Sequence, residues 1–253
     1  MIFEDLDSRM VETQYGRIHA LTHLNEGAKQ VFVFLHGLRA DARSWKRLIP
    51  YLDDDWGIVL LDMMGHGESD APHIDYTPDM QARAVSGAVS ELVSGSYVLI
   101  GNSYGGWIAA FGAANEIYGD KISGIVLEDA AGLKEEMDDM MKSISYEEFY
   151  GTQMKKLSML NRDEVKGSTD YVVSSIIGAD KEKYLLGRED LGRIKARCTI
   201  VWGTDDRTID KKYASYFNSY INGSELVFIE GGGHVPHFSK PSEFANVLKR
   251  FTA

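Results

Sequence analysis

Cysteine is nearly absent. Cys198 is the only one in 253 residues, so no disulfide can close within the chain, and its place at the head of the apolar run CTIVWG reads as a buried strand residue rather than a reactive thiol. Long apolar runs are missing too: no stretch approaches the roughly 18 apolar residues of a membrane-spanning helix. The N-terminal MIFEDLDSRM is acidic where a secretory leader would be basic and then apolar, so the expectation is a cytoplasmic protein without a membrane span. Positive charge is in short supply, with 27 Lys and Arg against 38 Asp and Glu and a formal net charge of −11. That balance repels polyanions, and no basic stripe with interleaved aromatics offsets it, which excludes nucleic acid as a partner. Repeats and low-complexity tracts are absent. The spacing His234-x-x-His237 has no further Cys, His or carboxylate cluster to complete a metal site, so neither a metal nor another cofactor is expected. No residue distinguishes a monomer from a dimer.

What is present fits one large α/β domain carrying an insertion. Short runs rich in Val and Ile, read as strands, lie at 17–24, 30–37, 57–65, 97–103, 122–130, 198–206 and 225–232. Helical spacing falls between them around 44–52, 79–93, 104–118, 209–221 and 241–251. This alternation predicts a mostly parallel sheet covered by helices on both faces. It breaks from 131 to 193, a stretch without strong strands that holds five of the ten methionines. Leu133, Met137, Met140, Met141 and Ile144 share one helical face there, with Glu135, Asp138 and Asp139 mainly on the other. The expected organisation is a core of residues 1–130 and 194–253 interrupted by a small helical lid at 131–193. The methionine stripe serves first to pack the lid, with Met137 and Met141 the candidates for a substrate pocket.

In sheets of this kind functional groups gather beyond the carboxyl ends of the strands. His36, Ser103, Asp129, Asp205, Asp206 and His234 all follow predicted strands. Ser103 sits in Gly101-Asn102-Ser103-Tyr104-Gly105, a G-x-S-x-G pattern between a strand and a helix, where small neighbours allow the strained turn that lifts a serine above the sheet edge. A serine hydroxyl needs a base, an orienting carboxylate and oxyanion donors. His234, in the glycine loop after the last strand, is the candidate base. Asp205 and Asp206 both lie between serine and histidine in chain order, and order alone does not choose between them; Asp129 satisfies it as well, but reads better as a helix cap or hinge. The backbone N–H groups of Leu38 and Tyr104 are the candidate oxyanion donors, with His36 fixing the loop that carries Leu38.

The motifs HGL at 36–38, DMMGHGESD at 62–70, GNSYGG at 101–106, GTDD at 203–206 and GGGHVPHFSKPSEF at 231–244 together resemble the α/β-hydrolases, in particular their lid-bearing esterases, C–C hydrolases and small peptidases. The resemblance runs from about Val31 to Phe251 except through the lid. It implies that Asp206, in the position G-x-x-D, is the acid, that His234 is the base and that His237 is a packing residue. The implied activity is hydrolysis of a small-molecule acyl substrate through an acyl-enzyme on Ser103, most simply by a carboxylesterase. A C–C hydrolase of ring-cleavage products, a proline iminopeptidase-like aminopeptidase and a triad-bearing ligand sensor are the alternatives. Serine at 103 argues against the dehalogenase and epoxide hydrolase branches, which use aspartate there.

Overall fold

The structure, a computed structural model, describes residues 1–159 and 169–252; part of the stretch expected as a lid, residues 160–168, lies outside the described residues. Eight strands form one sheet: β1 (Asp7–Thr13), β2 (Gly16–His23), β3 (Val31–Leu35), β4 (Gly57–Leu61), β5 (Tyr97–Asn102), β6 (Ile122–Glu128), β7 (Arg197–Gly203) and β8 (Glu225–Ile229). Their order is β1-β2-β4-β3-β5-β6-β7-β8. Only the β1–β2 and β2–β4 pairings are antiparallel. All seven strands expected from apolar runs are present. β1 is the addition: its sequence DSRMVET buries only Val11, so it carries no apolar alternation, and its pairing with β2 through the turn at Gln14-Tyr15 makes it a strand.

The alternation of side chains along the central strands fills two cores. Val33, Leu35, Val59, Leu61, Leu99, Ile125, Leu127 and Ile200 face α1 (Pro78–Leu92), α2 (Tyr104–Ala114) and, near the far edge, the helix Lys212–Tyr220. Phe32, Phe34, Ile58, Leu60, Val98, Ile100 and Val126 face Trp45, Leu48, Phe244 and Leu248 on the other side. The helix expected at 44–52 is two 3-10 segments, Ala42–Arg47 and Ile49–Tyr51. Pro50 has no N–H to donate to Lys46, so an α-helical ladder fails there. α2 stops at Ala114 rather than Tyr118: Asn115 caps it, Glu116 turns to positive φ, and the Tyr118 hydroxyl folds back to donate to the Ile108 carbonyl.

Between β6 and β7 the described residues form α3 (Lys134–Ser143), α4 (Tyr146–Ser158), α5 (Asp170–Ile176) and α6 (Arg188–Leu191). The two ends of this segment meet. Leu133 and Leu186 form an isolated parallel bridge, Leu186 N–H donates to the Gly132 carbonyl at 2.8 Å, and Lys134 N–H donates to the Leu186 carbonyl at 3.0 Å. After β7 come α7 (Lys212–Tyr220) and, behind β8, α8 (Pro236–Ser239) and α9 (Pro241–Leu248). Met137 packs against the first core, Met140 and Met141 are half-buried, and Met159 is exposed. No helix among the described residues is long and apolar enough to cross a membrane.

Candidate active site

The strand order reverses between β3 and β5, and the loops leaving these neighbours diverge at the carboxyl edge of the sheet, where sheets of this kind place their functional groups. Ser103 stands there, between β5 and α2, with φ 52° and ψ −113°. A non-glycine residue in that region costs about 1–3 kcal/mol and persists only where its surroundings fix it. Here they do so at close quarters: Ser103 N–H donates to the Glu128 carbonyl at 2.9 Å, and the Ser103 carbonyl accepts from Trp107 and Ala131. Glycine is required beside it, since a Cβ on Gly105 would lie 2.3 Å from the Leu35 carbonyl oxygen.

The β8 loop brings His234 over the serine. His234 Nε2 lies 2.9 Å from Ser103 Oγ and Nδ1 lies 2.8 Å from Asp206 Oδ2. With the Nδ1 proton donated to the carboxylate, the Nε2 lone pair is left to accept the serine proton. Three further contacts hold the assembly. Asn102 Nδ2 donates to the His234 carbonyl at 3.1 Å, and Asp206 Oδ1 accepts the N–H groups of Thr208 (2.6 Å) and Ile209 (3.1 Å). Burial works against the charged form of Asp206, but the hydrogen bond and charge of His234, the contact with Asp129 and the Thr208 N–H outweigh it and hold its carboxyl below the usual range. Asp205 is exposed, its side chain reaching only Thr204.

The N–H group of Leu38 belongs to the loop after β3, and that of Tyr104 directly follows the serine. Loop 36–38 presses on it, with Gly37 so placed that a Cβ would be 3.6 Å from Ser103 Cβ. Tyr104 opens α2, whose N-terminus concentrates partial positive charge. Among the described residues neither N–H donates to a protein acceptor. His36 is fully buried: Nε2 accepts the Met63 N–H at 3.0 Å, so Nδ1 carries the proton and donates to the Gly37 carbonyl at 2.8 Å. Burial pushes its pKa down, keeping the ring neutral.

Asp129 does not cap a helix. It is fully buried at φ 43°, and its Oδ1 accepts the Gly203 N–H at 3.1 Å. Burial, the charge of Glu128 and contact with Asp206 push its pKa well above the ordinary range, so it is a neutral acid. Donor atoms of Asp129, Asp206 and His234 lie within 4.8 Å of one another, the spacing of a metal cradle. Both ring nitrogens of His234 are already engaged with Ser103 and Asp206, so the set is a poor cation site. His237 points away from His234: it stacks on Trp45 at 3.7 Å and bonds Glu128 through Nδ1 at 2.6 Å. Sequence reasoning passed over Glu128, Asn102 and Glu136. An acid inside the apolar run ISGIVLE was the one available signal for Glu128. Glu136, in the first turn of α3, is pushed up to about 7 by burial and the nearby Asp206 charge, against the backbone N–H groups of Gly132 and Leu133.

A family model described as the alpha/beta hydrolase family matches residues 32–247. The chain belongs to that family. This alpha/beta hydrolase is 25% identical to 2-hydroxy-6-oxo-6-(2'-aminophenyl)hexa-2,4-dienoic acid hydrolase of Metapseudomonas resinovorans, over 95% of this chain and 87% of the relative. It is also 25% identical to monoacylglycerol lipase ABHD6 of Bos taurus, over 90% and 76%. A solved serine hydrolase involved in carbazole degradation shares its fold at TM-score 0.71 and 20% identity, covering 97% of this chain and 98% of that one. The alpha/beta hydrolase is thus a hydrolase by descent, with relatives that differ in the bond they cleave.

Proposed function

We propose that this hydrolase is a serine carboxylesterase acting on small or medium apolar acyl esters. The observation that carries the reading is the unbroken hydrogen-bonded series Ser103 Oγ, His234, Asp206 at the N-terminus of α2. Ser103 Oγ attacks the acyl carbon as His234 Nε2 takes its proton, and the Asp206 carboxylate, held charged, stabilises the imidazolium. The Leu38 and Tyr104 N–H groups receive the oxyanion. His234 then protonates the leaving alcohol and activates water to release the acid. Helices α3 to α6 form a lid at 131–193 over this edge, Met137 and Met141 contributing to the acyl pocket. The substrate is a small acyl compound handled without cofactor, in the cytoplasm.

The test is hydrolysis of p-nitrophenyl esters from acetyl to dodecanoyl by wild type and Ser103→Ala. Turnover with a chain-length optimum in the wild type, lost in the variant, is expected; turnover surviving in Ser103→Ala overturns the assignment. Asp206→Asn should lower kcat by about 10⁴ with the fold intact, since the tautomer of His234 is no longer fixed. A second reading, C–C hydrolysis, is favoured by the likeness to the Metapseudomonas enzyme. Vinylogous diketones assayed beside the esters separate the two: larger kcat/KM for the diketone would replace the esterase reading.

A further inference from the structure

A second serine, histidine and aspartate stand in series on the far side of the sheet's antiparallel end. Ser8 Oγ of β1 lies 2.9 Å from His19 Nε2, and His19 Nδ1 of β2 lies 2.8 Å from Asp62 Oδ2 at the end of β4. These distances match those of the Ser103 series. Asp62 is fixed as a carboxylate. Its Oδ1 accepts the Ala42 N–H at 2.7 Å and its Oδ2 the Glu68 N–H at 2.8 Å. Burial opposes its charge, but His19, the His36 ring and these N–H groups hold its pKa below the ordinary value. His19 and Asp62 are buried while Ser8 is exposed, so the base is sheltered and the hydroxyl is reachable. All three line a cleft of about 470 Å³ with an apolar wall of Phe3, Met10 and Leu21 and with Arg43, paired to Asp41, at its rim.

We propose that Ser8, His19 and Asp62 form a second base-activated serine that accepts an acyl group from an activated ester seated in this cleft. Ser8 Oγ adds to the carbonyl carbon while its proton passes to His19 Nε2. The bond to the leaving oxygen breaks, that oxygen takes the proton from His19, and acyl-Ser8 and free alcohol result. Ser8 lies in an extended edge strand rather than in a strained turn. Acylation should therefore run about 10²–10³-fold slower than at a serine with a full oxyanion hole, and the acyl group should stay on. A purely structural role predicts none of this: His19 would only pin the turn 62–70, where its own N–H also donates to Ser69 Oγ at 2.8 Å.

The experiment uses the full chain carrying Ser103→Ala, incubated with p-nitrophenyl butyrate and mapped by peptide mass spectrometry. One butyryl group per chain on the Ser8 peptide, absent from Ser8→Ala/Ser103→Ala, is expected; no adduct on Ser8 overturns the proposal. A second readout uses Ser8→Cys. Cys198 is buried, so the new thiol is the accessible one, and activation by His19 should make its alkylation by iodoacetamide at pH 6.5 about tenfold faster than that of a free thiol of ordinary pKa. A rate equal to the free thiol's shows that His19 does not activate position 8 and overturns the proposal independently.

Discussion

Among the described residues Asp129 has no ion-pair partner, and burial together with the neighbouring acids Glu128 and Asp206 raises its pKa well above the ordinary value, favouring the neutral form in the fold. In the unfolded chain the same carboxyl ionises above about pH 4. Its folded pKa is raised, so the folded state binds the extra proton, and stability falls as pH rises from that unfolded value toward the folded one. Asp129→Asn keeps an acceptor for the Gly203 N–H and removes the titration. The variant should match the wild type in thermal melts at pH 3.5 and melt higher at pH 7.5 by about 3 °C for each kcal/mol released, given the size of the chain. Equal differences at both pH values would show that Asp129 is not the neutral acid. The sequence could place Asp129 at a strand end but not say that it is buried beside Asp206, because that neighbour is 77 positions away and arrives only through the β6–β7 pairing. The choice of Asp206 over Asp205 is similar in kind. Adjacent residues on a turn differ in direction, and only the Asx-type bonds to Thr208 and Ile209 settle which one is turned inward.

Helix α3 carries the one acidic face whose partners the sequence left unassigned. Asp139 accepts from Lys212 Nζ at 2.8 Å and from the Tyr213 hydroxyl at 3.1 Å, while Glu135 accepts from the Tyr220 hydroxyl, so the helix is stapled along α7. On the other side α4 reaches Arg39, whose Nη1 donates to the Gln153 carbonyl at 3.2 Å and side chain at 3.0 Å. The Lys212–Asp139 pair is exposed and worth little in stability, while the other contacts are partly buried; together they hold α3 and α4, and with them the methionine face. Asp139→Asn should leave the melting temperature nearly unchanged and raise KM for long-chain esters a few-fold, with kcat for the acetyl ester unaffected; a fall in kcat across all chain lengths would place the defect in the Ser103 series instead. Periodicity made α3 and its two faces legible, since 3.6-residue spacing is local. It could not supply the 3-10 geometry around Pro50 or the strand β1, because the first depends on a missing donor in a packed turn and the second on a partner strand.

At the scale of the molecule, the apolar runs made the parallel sheet and its two cores legible, while the segment at 131–193, apart from α3, was legible only as a break in the pattern. Its termini decide what kind of break it is. The bridge between Leu133 and Leu186, with the bonds from Leu186 to Gly132 and from Lys134 to Leu186, closes the core around the insertion so that the sheet pairing does not pass through it. The segment in turn buries Val172, Val173 and Ile176 and takes the Trp107 indole N–H onto the Tyr184 carbonyl at 3.1 Å. If the sheet and its helices are the folding unit, replacing residues 136–183 by a short Gly-Ser linker should leave a cooperative thermal transition. That transition should come at a lower temperature, because apolar surface once covered by α5 becomes exposed. The same variant should retain turnover of p-nitrophenyl acetate, since Ser103, His234 and Asp206 are positioned by β5, β8 and β7, and should lose the chain-length optimum, since the proposed acyl-pocket wall is removed. Loss of the cooperative transition would show instead that the helical segment is part of the core, and that 131–193 does not delimit a separable lid.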